Sequence, residues 1–463
     1  MTRSTRPASP PSTLGVVVVT ICLLWTGVVL NSEETQPAEL AGSATTVVPT
    51  GPATQLNSYT PSQQAFPSVA ALPSGDFAVV WQSDGSFGDD TGGLPTGTSI
   101  QIRLTDAFGV PFGEDFQVNT WTPEDEQFPS VTALASGELL VTWWSWFVDA
   151  GDTEPTRTAR ARLFDSAGVP LGGEFQLETT ADHHQLGPVA GAAQDGGFVV
   201  AWQSLSSSGG DDSGWSIQAR RFAPGGAPLG EDFQVNSEVV GSQTGPALAM
   251  RNHDEFTVVW SSDGDLRGRS FDAEGNPSGP DFLIAEGPDS PNFALLLLDV
   301  FAEASDHNLM FYAVWPNPAE FPIDIDLRAR RFTATGDPIG GEIHFEVDQP
   351  EGQDLSDVVQ LINGDYLVVW TRNSLADGPH GVRAQRFDAF GVPLGPSVVI
   401  SESSALQLAA TVGVGDGTAL AAWTYAGPPS WDILGRLLDI PADTGIFADG
   451  FETGDLSAWD GAS

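Results

Sequence analysis

Side chains able to bind or transform a ligand are sparse in this chain, and they sit in loops. Aspartates gather after apolar runs: Asp84, Asp89 and Asp90 after one, Asp211 and Asp212 after another, Asp263 and Asp265 after a third. Hard cations need several oxygens converging on one point, so these seven residues are candidate calcium ligands. None follows the Asp-x-Asp-x-Asp-Gly spacing, and the competing expectation is a solvated loop. Trp144 and Trp146, in the run Trp143-Trp144-Ser145-Trp146, are candidate sugar-stacking residues. The competing expectation is that they fill space between sheets. Six histidines (His183, His184, His253, His307, His344 and His380) are scattered without metal-site spacing. No Gly-x-Ser-x-Gly nucleophile turn occurs. Gly413-Val414-Gly415-Asp416-Gly417 resembles a phosphate loop, but it falls where a hairpin turn is expected. No catalytic residue is assigned.

The only cysteine is Cys22, so thiol catalysis, thiolate zinc sites and disulfides are excluded from the folded part. The formal net charge is −43, and every one of the 18 basic residues is Arg. That balance argues against a nucleic-acid groove and fits a self-repelling soluble surface.

A repeat must position these loops. One Trp closes the same apolar run seven times: Trp81, Trp143, Trp202, Trp260, Trp315, Trp370 and Trp423, at steps of 53 to 62 residues. Gly stands six residues earlier in five copies (Gly75, Gly137, Gly196, Gly364 and Gly417), after Ser, Asp or Asn, which predicts a two-residue hairpin turn. The run to the Trp is apolar throughout and predicts a strand buried on both faces. A third strand ends near Ala-Arg-Arg-Phe-Asp (219–222, 329–332 and 384–388). A Gly-x-Pro-x-Gly connection follows in six copies, beginning at Gly109, Gly168, Gly226, Gly275, Gly336 and Gly391. The fourth strand reads like Glu-Asp-Phe-Gln-Val-Asn. Arginine recurs two residues before the Phe position (Arg103, Arg162, Arg220, Arg269, Arg330 and Arg436), with Gln385 breaking the series. One arginine per copy predicts a framework role, each paired with a neighbouring copy's carboxylate or carbonyl.

Four antiparallel strands repeated radially are the plan of a propeller. The predicted fold is all-β: a single seven-bladed β-propeller over residues 51–440. The seventh copy stops after its third strand, while residues 53–58 match the fourth-strand motif of 115–120. The N-terminal strand is therefore predicted to complete the last blade and remove open edges. Residues 1–30, with Arg3, Arg6 and the apolar run 14–30, read as a signal peptide or membrane anchor. Residues 31–50 read as a linker and 441–463 as a tail.

The Trp- and Gly-rich copies over 53–440 resemble blades of exported bacterial β-propeller repeat proteins. The tail motif Asp449-Gly450-Phe451-Glu452-Thr453-Gly454-Asp455-Leu456-Ser457-Ala458-Trp459 is similar to a C-terminal motif of exported bacterial proteins, suspected to be a sorting tag. The resemblance implies architecture and export: a monomer outside the cell or on its surface, or held at the inner membrane through residues 14–30 and facing the periplasm. The expected function is a non-catalytic binding or scaffold module for glycan, protein or divalent cation. The alternative is a propeller-fold polysaccharide hydrolase or lyase, with its site where copies two and five diverge.

Overall fold

The computed structural model describes residues 46–85, 97–120, 125–147, 156–179, 184–205, 210–211, 213–286, 294–302, 307–315, 326–345, 353–372 and 380–441. The apolar run 14–30, the tail motif and the fifth-copy insert 316–325 lie outside them. Among the described residues no helix is long and apolar enough to cross a membrane.

The chain is all-β. Strand β1 (Val48–Gln55) comes first. Four-strand sets follow: β2 (Gln64–Ala71), β3 (Phe77–Asp84), β4 (Thr98–Thr105) and β5 (Pro111–Gln117); β6 (Glu126–Ala133), β7 (Leu139–Phe147), β8 (Thr156–Phe164) and β9 (Phe175–Gln176); β10 (Gln185–Ala192), β11 (Phe198–Leu205), β12 (Trp215–Phe222) and β13 (Phe233–Gln234). Next are β14 (Gln243–Met250), β15 (Phe256–Ser262), β16 (Asp265–Phe271) and β17 (Phe282–Ala285); β18 (Ala294–Ala302), β19 (His307–Trp315), β20 (Asp326–Thr333) and β21 (Pro338–Phe345); β22 (Gln353–Gln360), β23 (Tyr366–Arg372), β24 (His380–Phe387) and β25 (Val398–Ser403). The last three are β26 (Leu406–Val414), β27 (Thr418–Ala426) and β28 (Trp431–Asp439). Seven four-stranded antiparallel sheets result, a propeller-like arrangement. Six are simple meanders; the seventh has the order β1-β28-β27-β26. Successive first strands pack on one another, and β26 packs on both β22 and β2.

The repeated tryptophans are the anchors. Trp81, Trp143, Trp202, Trp260, Trp370 and Trp423 are fully buried. Each sits on a second strand whose neighbours are also buried, as continuous apolarity predicts for a strand covered on both faces. Burying 150–250 Å² of indole contributes about 4–6 kcal/mol per copy as an upper estimate. Apolar layers join one sheet to the next: Leu134, Leu140 and Leu163 of the second meet Phe198, Val200 and Trp202 of the third.

The turns differ from the two-residue expectation. In the first copy the amide of Leu72 donates to Asp76 O and that of Gly75 to Leu72 O, which encloses three residues, with Gly75 at φ 89°. The second, third and sixth copies repeat the pattern through Gly137, Gly196 and Gly364. A type I turn closed by a left-handed residue also matches strand twist, and Gly reaches that conformation without a Cβ clash. The seventh copy has the two-residue form, its Gly415 amide donating to Thr418 O.

The reversal before the fourth strand also lies earlier than Gly-x-Pro-x-Gly suggests. Asp106 Oδ1 accepts the amides of Phe108 and Val110 (both 2.9 Å), and Asp165, Asp272 and Asp388 repeat this. The Asp ending the third-strand motif thus builds the turn with its side chain. The Pro pairs back on the strand, as in Thr105↔Pro111 and Phe164↔Pro170. An outer strand tolerates the missing donor.

Strand β1 begins at Val48, inside the predicted linker, and pairs with β28 from Val48↔Asp439 to Gln55↔Leu434. Its contacts reproduce those of a fourth strand elsewhere. Asn57 Oδ1 accepts the Ile433 amide at 2.8 Å, as Asn119 accepts Ile100 and Asn236 accepts Ile217 at 2.9 Å.

Candidate functional site

Because the copies are internally comparable, framework residues can be separated from residues free to bind a ligand. The arginine series belongs to the framework. Arg162 Nη1 donates to Val118 O of the preceding sheet (2.7 Å) and its Nε to Gly172 O (3.1 Å). Arg220 bonds Leu177 and Gly230, and Arg269 bonds Val235 and Gly279. Arg330 and Arg436 reach Ile284 and Ile400. Arg103 closes the set on Leu56 O at 2.7 Å. Every guanidinium meets a carbonyl, so charge-assisted bonds join adjacent sheets. At the break, Gln385 keeps only the bond to Gly395 O (3.0 Å). Beside it, buried Arg386 binds Asp365 Oδ2 (2.6 and 2.9 Å) and Pro441 O (2.9 Å).

The acidic residues do not converge. Asp84 accepts the Ser62 hydroxyl. Asp211 is fully buried and accepts the Ser213 amide (3.1 Å) and Asn236 Nδ2 (3.0 Å). Asp263 accepts the Ser242 amide at 3.1 Å, and Asp265 lies 4.0 Å from Arg267. Among the described residues no group of three metal-ligating side chains forms, so these four aspartates do not fit a calcium ion. Asp89, Asp90 and Asp212 lie outside the described residues.

Two acids are perturbed inside the framework. Burial pushes the Glu178 carboxyl up to about 8; it occupies the Asn119 and Asn236 position and accepts the Ala159 amide at 3.2 Å. Burial likewise raises Asp357 to about 6, where it accepts Thr411 Oγ1 (2.8 Å) and the Val412 amide (2.9 Å) of the adjoining sheet. Both act as buried hydrogen-bond acceptors.

In the first, second, third and seventh copies the residue three beyond the repeated Trp behaves differently. This register closes the second strand, at the end where the loops to the third strand start. It holds Asp84 opposite Thr98, Trp146 opposite Arg157, Leu205 opposite Trp215, and Ala426 opposite Trp431. Framework residues recur in these copies while this position changes. It brings partly exposed Trp146, Trp215 and Trp431 to the same end of three sheets. Sequence reasoning did not single out Trp215 and Trp431, because variable loop length hides their alignment.

Trp144, expected as a sugar-stacking residue, is 8 % exposed and packs into an aromatic chain: Phe128 at 5.8 Å, with Phe66 a further 4.7 Å away. It lies on the same strand face as Trp146, farther from the end of the strand, where Phe128 covers it. Trp146 remains half-buried, with Arg157 stacked on its ring at 4.1 Å. Beside it, the Trp146 amide donates to Asp125 O (2.9 Å), and Asp125 Oδ1 accepts the Thr98 amide (3.1 Å). The Asp125 carboxyl is raised, first by burial, with the nearby Asp84 charge adding to it.

A cavity of 1590 Å³ opens at the opposite end. Hairpin turns of six sheets line it, with Arg251, Arg331, Glu342 and Asp416 among the rim residues. Its walls are largely turn backbone and small apolar side chains.

No protein-family model matches the chain, and no curated protein matches it. Solved structures do. A polysaccharide lyase described as an ulvan lyase is 9 % identical, with a TM-score of 0.51 over 80 % of this chain and 96 % of that one. A second polysaccharide lyase, also 9 % identical, has a TM-score of 0.51 over 82 % and 90 %. A protein of unknown function from Dyadobacter fermentans is 12 % identical, with a TM-score of 0.49 over 85 % and 99 %. At such identities the likeness is one of fold: this chain shares with the two lyases an all-β architecture.

Proposed function

We propose that this chain is an exported, polysaccharide-directed β-propeller whose seven sheets are the blades of one ring latched by β1. The packing of β26 on β2 and the fourth-strand contacts of β1 support the ring. Sugar is held at the end bearing Trp146, Trp215 and Trp431. The carrying observation is that the register varying from copy to copy is the one presenting partly exposed tryptophans, and flat apolar rings are what sugar faces stack on.

Between the non-catalytic module and the polysaccharide-cleaving enzyme, the fold likeness to polysaccharide lyases favours the enzyme. A specific observation adds to it. Asp125, whose carboxyl is raised by burial, lies near Asp84 and beside Trp146. Two neighbouring carboxyl groups, one of them raised by burial, are the kind of pair that can protonate a glycosidic oxygen and activate water. In this reading Asp125 is the acid and Asp84 the base. The test is a panel of soluble polysaccharides assayed for binding and for released reducing ends. Release abolished by Asp125→Asn, with binding retained, establishes the enzyme. Binding without release by wild type leaves the module. No binding to any polymer, or binding untouched by Trp146→Ala and Trp215→Ala, refutes the reading.

A further inference from the structure

Arginines here find partners readily, since 61 acidic residues outnumber 18 basic ones. Arg160 pairs with Glu174 at 3.1 Å, Arg269 with Asp281 at 3.7 Å and Arg328 with Glu342 at 3.1 Å. The arginine series has its carbonyls. Arg157 has neither. Its guanidinium carbon lies 4.1 Å from the Trp146 ring centre and 5.4 Å from that of Trp144. Its Nε is buried with no hydrogen-bond partner. Burial lowers its pKa. A cation drawn from water without a counter-charge is a costly arrangement.

Arg157 is not framework. The same register holds Thr98, Trp215 and Trp431 in other sheets. A guanidinium held over an indole ring keeps its N–H donors for a further partner, and its planar fork suits a carboxylate or sulfate. Trp146 itself is half-buried.

We propose that Arg157 and Trp146 form a subsite for an acidic sugar, the oxyanion meeting the guanidinium edge while the sugar ring lies against the indole. This rests on the polysaccharide reading and names its substrate class as anionic. The whole-molecule charge of −43 opposes a polyanion at long range, so recognition must be short-range. Raising salt to about 1 M shortens the screening length to about 3 Å and weakens that repulsion more than the sheltered contact.

The experiment measures binding of two matched pairs at about 1 M salt: polygalacturonate against its methyl ester, and dextran sulfate against dextran. Wild type is expected to prefer one charged polymer over its neutral partner by about tenfold or more, the worth of one charge-assisted bond. The favoured pair tells carboxylate from sulfate. Arg157→Gln should erase the preference for the charged polymer over its neutral partner, and Arg157→Lys should keep part of it. Melting curves confirm that the variants fold. Equal affinity of wild type for charged and neutral polymers, or a preference surviving in Arg157→Gln, overturns the subsite and leaves the polysaccharide reading standing. Failure to bind all four overturns both.

Discussion

The latch of β1 on β28 can be tested through Leu56. Its side chain is fully buried among Val69, Trp81, Leu420 and Ile433, which come from the first and seventh sheets. Its amide donates to Ile433 O (2.8 Å) and its carbonyl accepts Arg103. Leu56→Ala leaves a cavity where both sheets meet and should cost about 2–5 kcal/mol. With an unfolding entropy of about 2.1 cal/mol/K per residue, a fold spanning residues 46–441 has roughly 0.8 kcal/mol/K, so Tm should fall by about 2–6 °C. Gly435→Ala attacks the same contact from β28, because its Cβ would lie 2.7 Å from Leu56 Cδ1. Deleting residues 46–57 should lower Tm further: it also removes Asn57 and the acceptors of Arg103 and Arg436, and bares β28 as an open edge. A synthetic peptide of residues 46–60 added in trans should restore part of the loss. The assay is calorimetry with circular dichroism. An unchanged melting curve after deletion refutes the latch.

Arg220→Ala removes bonds to Leu177 and Gly230 and should destabilise by about 1–3 kcal/mol in urea unfolding, with Arg162→Ala and Arg269→Ala behaving alike. Glu178→Asn restores the residue found at positions 119 and 236. The wild-type acid is neutral in the fold up to about 8 and ionised in the unfolded chain above about 4.5, so native stability from this group falls as pH rises between those values. The Tm advantage of Glu178→Asn should therefore grow from pH 4.5 to 8 and then level off; a flat difference contradicts the assignment. Gly191→Ala places a Cβ 2.3 Å from Leu248 Cδ2 and should lower the urea midpoint by overpacking the joint between the third and fourth sheets.

Much of the fold was legible because its causes are local and repeated. An apolar run closed by Trp, a Gly that permits positive φ and an Asp that folds a turn around its own side chain act within a few residues, so seven copies announce themselves. The match of residues 53–58 to a fourth strand followed from the same regularity. Turn length was misread because residue preference identifies the left-handed position without counting the residues around it. The candidate site was less legible. Trp144 and Trp146 are two residues apart, yet the first fills the core and the second reaches the surface under Arg157. Asp84 and Asp125 belong to different copies and meet only because the sheets pack side by side. Among the described residues the aspartates offered to calcium stay apart: Ser62 donates to Asp84, Asn236 to Asp211 and Ser242 to Asp263. Repeat spacing by itself determined the strands, their number and the role of one arginine per copy, since those depend on near neighbours. Only the tertiary structure decided which variable residues share an end of the sheets and which arginine lies over a tryptophan ring, because both depend on distances between segments that the order of residues does not contain.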